Sequence, residues 1–322
     1  MLPDRTQLTI CFAHVAYQMQ ARFAARGTGI ASFQVHSREE LAARIHEADV
    51  VSVSMMWQND LLDRAPRLRF IQSISAGVDQ YDQVRLAARG VRLASAAGVN
   101  AEAVAEHAMA LILALARRLP EARDNQARRV WRGMIADLAT REDELAGKTL
   151  LIVGLGRIGG RLARLARAFD LRVIATRRSP EAGAGAADAV HPMTALPDLL
   201  PEADIVALTC PLTPETERLI DAPALARMRP GAHLVNVARG RCVDEPALIA
   251  ALTAGRLAAA ALDCAAEEPL AAASPLWSLP NVLITPHTAG ETRRYEDNVI
   301  DILVENLDRL WRGETALRNQ VV

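Results

Sequence analysis

The chain has 322 residues, 51% hydrophobic and 23% charged, with a formal net charge of -1. That apolar share speaks against whole-chain disorder, the balanced charge against a dedicated nucleic-acid binder, and the length suits two domains. Aromatics are only 4%, so the cores must be built from aliphatic side chains. Short apolar runs at Leu8–Ala13, Ala31–Val35, Val50–Ser54, Leu68–Ile74 and Val91–Leu93 read as strands, with helices at Gln18–Arg26 and Glu39–Ile45. Strands this short between helical patterns fit a parallel sheet covered on both faces. Glu102–Arg118 reads as a long alanine- and leucine-rich helix with Asn100 as its N-cap. The charged stretch that follows, 117–145, holds Trp131 and reads as an excursion from the compact units.

A second strand–helix series begins near residue 150. Strands are expected at Thr149–Val153, Arg172–Ala175, Ile205–Leu208, His233–Asn236, Ala259–Leu262 and Val282–Ile284. Helices are expected at Ile158–Phe169, Leu196–Leu200, Ala222–Arg227 and Glu245–Ala254, and a last one at Thr292–Trp311 that can return to the first sheet. Cys11, Cys210, Cys242 and Cys264 are widely spaced, which fits reduced thiols and offers no clustered metal ligands. No apolar run is long enough to span a bilayer, and Met1–Leu8 lacks a signal-peptide pattern, so a cytoplasmic protein without membrane partners is expected.

Gly154, Gly156 and Gly159 form G-x-G-x-x-G directly after an apolar strand and at the start of a helix. Gly154 permits a tight turn, Gly156 lets backbone approach a pyrophosphate, and Gly159 lets helix and strand pack closely. The helix N-terminus then offers N–H groups to the anion. At the end of the next strand an NAD site usually places an acid for the ribose hydroxyls. Here the chain reads Ala175-Thr176-Arg177-Arg178-Ser179, with no carboxylate until Glu181. Arg177, with Arg178 beside it, can clamp a 2′-phosphate, and Thr176 and Ser179 can add hydroxyls, so NADP(H) is favoured and NAD(H) is the alternative.

With that motif, the segments "SISAGVDQYD", "VAEHAMALILALAR", "ELAGKTLLIVGLGRIG", "CPLTPET", "LVNVARG", "ALDCAAEEPL" and "ITPHTAG" closely resemble the D-isomer-specific 2-hydroxyacid dehydrogenase family, in its order and over nearly the whole chain. The resemblance implies an α/β fold in which a Rossmann-type coenzyme domain (100–287) is inserted into a flavodoxin-like substrate domain (1–99 plus 288–322). It also implies an active site in the cleft between them and a homodimer built with an arm at 117–145. Trp131 either reaches the partner's site or stabilises the arm.

Arg239, Glu268 and His287 each follow a predicted strand, where functional groups of α/β sheets gather. Reduction of a 2-oxo acid needs a cation on the carboxylate and an acid for the developing alkoxide. Arg239 suits the first task, His287 the second, and Glu268 can orient the imidazole and stabilise its protonated form. The resemblance gives these positions the same roles. It also gives carboxylate capture to the backbone of Ser75, Ala76 and Gly77, and places Met55, Met56 and Trp57 on a loop touching the substrate side chain, the alternative for these three being core filler. Around the coenzyme it places Val104, Leu155, Arg157, Ile158, Cys210, Pro211, Thr216, Val237, Ala238, Asp263, Ala289 and Gly290, together with Arg239 and His287.

The expected activity is NADPH-preferring reduction of a small 2-oxo acid, glyoxylate or hydroxypyruvate, to a D-2-hydroxy acid. One alternative is NAD-dependent oxidation of a D-2-hydroxy acid such as 3-phosphoglycerate, although the length leaves no room for the regulatory domain of many such enzymes. The other is a dinucleotide-sensing, corepressor-like binding protein.

Overall fold

The computed structural model describes residues 2–322 and divides the chain into two compact units, 1–100 with 292–322 and 101–291. The first unit holds strands β1 Thr9–Ala13, β2 Ala31–Val35, β3 Val50–Val53, β4 Phe70–Ser73 and β5 Arg92–Ala94. All pair in parallel in the order β2-β1-β3-β4-β5, the flavodoxin-like order. Alternate residues of each strand face opposite cores. Cys11, Val51 and Ile71 join one core with Leu41 and Ile45. Ile10, Val50 and Phe70 join the other, which the C-terminal helix Tyr295–Trp311 covers with Val299, Ile300, Leu303 and Leu307. That helix is pinned by a buried amide pair. Asn306 donates to Gln72 Oε1 at 3.2 Å and to the Arg318 carbonyl at 3.1 Å, and accepts from the Arg318 N–H at 2.7 Å.

The second unit opens with the helix Ala101–Ala116 and carries β6 Thr149–Val153, β7 Arg172–Arg177, β8 Ala189–Pro192, β9 Ile205–Leu208, β10 His233–Asn236, β11 Ala259–Leu262 and β12 Val282–Ile284. These form one parallel sheet, order β12-β11-β10-β9-β6-β7-β8. This is the doubly wound Rossmann arrangement with one added edge strand. Leu150 and Ile152 face a core shared with the helices Ala101–Ala116 and Arg157–Arg167, while Leu151 and Val153 face the opposite core. Strand order reverses between β7 and β9 around β6, and ligands of such sheets bind outside the carboxyl ends at that switch point. The glycine turn follows β6 there.

Several elements differ from expectation. The strand β8 was not foreseen: it is a four-residue edge strand ending in a proline and paired only to β7. The helix Gln83–Ala88, capped by the Asp82 carboxylate, and the helix Leu119–Ala127 inside the expected excursion were also not foreseen. The structural cuts fall at 100/101 and 291/292 rather than 99/100 and 287/288. Among the described residues no helix is long and apolar enough to cross a membrane, and all four cysteines are free and buried.

Candidate active site

Within the second unit, Gly154 sits at φ +103°, and a Cβ there would lie 2.7 Å from the Cys210 backbone. Only glycine tolerates both the left-handed conformation and the close approach. Thr176 O accepts from the Gly154 and Leu155 N–H groups at 3.0 and 2.9 Å, and the Thr209 hydroxyl donates to Gly154 O at 2.8 Å. At Gly159 a Cβ would meet Gly154 O at 2.5 Å, so glycine there lets the helix Arg157–Arg167 press onto β6. At Gly156, the N-cap of that helix, a Cβ would meet no protein atom within 4 Å. Gly156 and Arg157 are exposed, Ile158 is half-buried and Leu155 is buried. A turn open at Gly156, over the positive end of an eleven-residue helix, fits a dinucleotide pyrophosphate.

At the end of β7, Thr176 is fully buried and its hydroxyl has no partner, so it cannot serve as a donor to a ribose. Strand alternation turns it into the sheet and its neighbours Ala175 and Arg177 to the other face. Arg177 is half-buried and donates to Gly183 O at 3.1 Å, while Arg178 and Ser179 are exposed. Val104, Leu155, Val237 and Ala289 are buried together in one core, Cys210 and Ala238 in the opposite one. Thr216 spends its hydroxyl on its own turn, accepting from Thr213 N and donating to Pro211 O, both at 2.7 Å. A hydrogen bond to Cys242 and burial push the Cys210 thiol well above its usual range, which removes it as a nucleophile.

Arg239, Glu268 and His287 leave the carboxyl ends of β10, β11 and β12, three consecutive strands of the sheet. Buried Asn236 accepts from Ala238 N at 3.0 Å and donates to Arg239 O at 2.9 Å, fixing the turn that presents the arginine. A Cβ on Gly240 would lie 1.9 Å from the Ala265 backbone, so this glycine presses the loop after β10 onto the loop carrying Glu268. Glu268 Oε1 accepts from Ala265 N at 3.1 Å, and Oε2 lies 2.8 Å from His287 Nδ1. The carboxylate accepts a hydrogen bond from Nδ1–H, so Nε2 is the ring nitrogen left to exchange a proton elsewhere.

His287 holds φ +57°, a sparsely populated conformation for a non-glycine residue. The turn around it is tied to Asp263. The Asp263 carboxylate accepts from the Thr285 hydroxyl at 2.6 Å and from the Thr288 and Ala289 N–H groups, each at 3.1 Å. Asn236, Gly240, Thr285 and Thr209 were not singled out from sequence. Their signal was present, since the first three lie inside the motif segments and Thr209 directly precedes one.

In the first unit, Ser75 is held by Ser54 Oγ at 2.7 Å and donates to Gly77 O at 2.8 Å. Among the described residues, nothing accepts from the Ala76 and Gly77 N–H groups. Met56 and Trp57 do not form an outward wall: they are 5% and 4% exposed and pack in the core, the indole N–H donating to Asn59 Oδ1 at 3.0 Å. The chain turns back at Ser54–Trp57, which leaves Met55, 81% exposed, as the outward member of the trio.

Residues 109–289 match the profile of the D-isomer specific 2-hydroxyacid dehydrogenase NAD binding domain. The chain belongs to the D-isomer specific 2-hydroxyacid dehydrogenase family. Among its relatives in that family is a glyoxylate/hydroxypyruvate reductase B of Yersinia enterocolitica, 40% identical over 265 residues, 81% of each chain. A D-3-phosphoglycerate dehydrogenase of Mycobacterium tuberculosis is 38% identical over 281 residues, 86% of this chain and 52% of the relative, so the chain spans about half the length of that protein. A solved family structure, an NADPH-dependent glyoxylate/hydroxypyruvate reductase of Sinorhizobium meliloti in complex with NADP and malonate, superposes with a TM-score of 0.80. It is 28% identical, covering 98% of this chain and 97% of that one.

Proposed function

We propose that the protein reduces a small 2-oxo acid, glyoxylate or hydroxypyruvate, to the D-2-hydroxy acid, with NADPH as the preferred donor. The observation that carries this reading is the 2.8 Å pair between Glu268 and His287, with Arg239 following the next strand, at three neighbouring strand ends of a dinucleotide-type sheet. When bound, the nicotinamide supplies the hydride. Arg239 holds the substrate carboxylate and polarises the carbonyl. The first unit offers the Ala76 and Gly77 N–H groups for carboxylate capture. As the imidazolium, its Nδ1–H held by the Glu268 carboxylate, His287 gives its Nε2 proton to the alkoxide oxygen and is left as the neutral Nδ1–H ring.

The NADPH preference rests on Arg177 and Arg178, with no carboxylate before Glu181 to receive a ribose 2′-hydroxyl. The Sinorhizobium relative, named as NADPH-dependent, supports it. The mycobacterial relatives favour a second reading, NAD-dependent oxidation of 3-phosphoglycerate. Exposed Val130, Trp131, Met134 and Leu138 on the arm support self-association as a homodimer. Steady-state kinetics with NADPH and NADH against a panel of 2-oxo acids, and in reverse with 3-phosphoglycerate, separate the readings. Turnover of glyoxylate or hydroxypyruvate with higher kcat/KM for NADPH is expected. Equal or better efficiency with NADH removes the role of Arg177, and no turnover of any 2-oxo acid removes the reductase reading.

A further inference from the structure

The helix Ala101–Ala116 carries one histidine, His107, in an otherwise mostly apolar run. Its Nε2 lies 2.9 Å from Thr285 Oγ1 and 3.6 Å from Asp263 Oδ1. The direction of each bond follows from the donors available. A carboxylate only accepts, so the 2.6 Å contact spends the single Thr285 proton on Asp263. Thr285 Oγ1 must then accept from His107, so Nε2 carries a hydrogen. The result is a one-way relay, His107 Nε2–H to Thr285 Oγ–H to Asp263 Oδ1. Asp263 in turn receives the N–H groups of Thr288 and Ala289, directly after His287.

We infer that His107 is a positioning residue for His287, acting through Thr285 and Asp263 to hold the left-handed turn in place. The turn needs such a hold. His287 sits at φ +57°, and its own N–H reaches only Thr285 O at 3.0 Å, a local contact that leaves the turn free to relax. Asp263 is 2% exposed, and three donors plus the nearby imidazole surround it. A buried carboxylate with full hydrogen bonding is a stiff anchor, and a partly satisfied one is not. The same helix also presses Val104, Ala105 and Ala108 into the core that contains Ala289, so the relay and the packing act on one segment.

The role of the turn in catalysis rests on the proposed function, and the hold on the turn does not, so the test reads both. Three variants serve: His107→Leu, which removes the donor; His107→Gln, whose amide nitrogen replaces Nε2; and Thr285→Val, which breaks the middle of the relay. Amide hydrogen exchange at Thr288 and Ala289 is expected to quicken about tenfold in His107→Leu and Thr285→Val, with amides of β6 unchanged. In the same two variants kcat for 2-oxo acid reduction is expected to fall roughly 10- to 100-fold while KM stays within about threefold, because a displaced proton donor spoils alignment more than binding. His107→Gln is expected to restore both. Wild-type exchange at 288–289 in His107→Leu overturns the proposal, as does a His107→Gln variant as impaired as His107→Leu. If the wild type turns over no 2-oxo acid, the reductase reading fails, and the exchange measurement still decides the positioning role.

Discussion

Two adjacent glycines in the glycine-turn helix give opposite expectations for the same substitution. In Gly159→Ala the new methyl would lie 2.5 Å from Gly154 O, 2.9 Å from Thr209 Oγ1 and 3.0 Å from Ile152 Cγ2. Two of these neighbours are a turn carbonyl and a core methyl, and neither swings aside. A carbon–oxygen contact relaxes near about 3.3 Å, so the helix must retreat by roughly 0.8 Å. Overpacking of this kind costs about 1–3 kcal/mol. For a body of this size that lowers Tm by roughly 2–12 °C. The retreat also moves the helix N-terminus away from any bound pyrophosphate, and loss of about 1.4 kcal/mol there raises the dinucleotide Kd tenfold. In Gly160→Ala, by contrast, the methyl meets nothing within 4 Å and the backbone is ordinary helix. Alanine there stabilises by about 0.5–1 kcal/mol. Calorimetry and dinucleotide titration on the two variants, side by side, make the comparison. Wild-type Tm and Kd in Gly159→Ala, or equal damage from Gly160→Ala, would refute the packing argument.

Gly156→Ala separates binding from folding: with no protein atom near the added Cβ, Tm is expected to hold within about 0.5 kcal/mol of stability while dinucleotide affinity falls about tenfold or more, and unchanged affinity removes Gly156 from the pyrophosphate contact. Asn306→Leu strands Gln72 Oε1 and the Arg318 N–H inside the first unit, for an expected loss of about 2–4 kcal/mol in urea unfolding; a loss below about 0.5 kcal/mol would show that these groups find other partners. Burial pushes the His233 imidazole below its usual value, with Lys148 acting in the same direction and Asp143 and Asp204 against it. The folded state therefore prefers neutral His233, and its contribution is full above the unfolded value of about 6.5 and lost as pH falls from there through the lower folded-state value. Tm measured from pH 7.5 to 5 is expected to fall less steeply in His233→Gln than in the wild type, and an equal slope refutes the assignment.

Parallel strands buried on both faces read as continuous apolar runs, which is why Thr149–Val153 and Ile205–Leu208 were legible to the residue. The edge strand β8 has no such run, because one side of it lacks a partner and its pattern Ala-Val-His-Pro carries little apolar signal. The residue types of the site were equally plain, since a glycine turn and three polar residues after apolar runs each sit where a strand ends. What one dimension hides is direction. Thr176 and Arg177 are neighbours in sequence, yet one hydroxyl is sealed in the sheet and the guanidinium next to it is half-exposed. Trp57 looks like a bulky wall until the turn at Ser54 folds it over Tyr81, with ring centres 5.8 Å apart.

Direction also decides what a polar residue does once it is in place. Asp263, which the family resemblance places at the coenzyme, also holds a turn, its oxygens accepting from Thr285, Thr288 and Ala289. Asn236, inside the same motif as Arg239, spends its amide on the arginine's own turn. A proton donor on a strained turn and a guanidinium on a loop are useful only if each returns to one position after every substrate leaves. The groups that enforce this are themselves nearly inaccessible, 2% exposed at Asp263 and 1% at Asn236, while His287, Glu268 and Arg239 are open to solvent. Under the proposed function, chemistry sits on the outer residues and geometry on the inner ones. Conservative exchange should discriminate the two sets: Asp263→Asn keeps the shape but turns one acceptor oxygen into a donor nitrogen facing N–H or O–H groups, a clash of donors costing about 1–3 kcal/mol. That loss appears first as a loosened His287 turn.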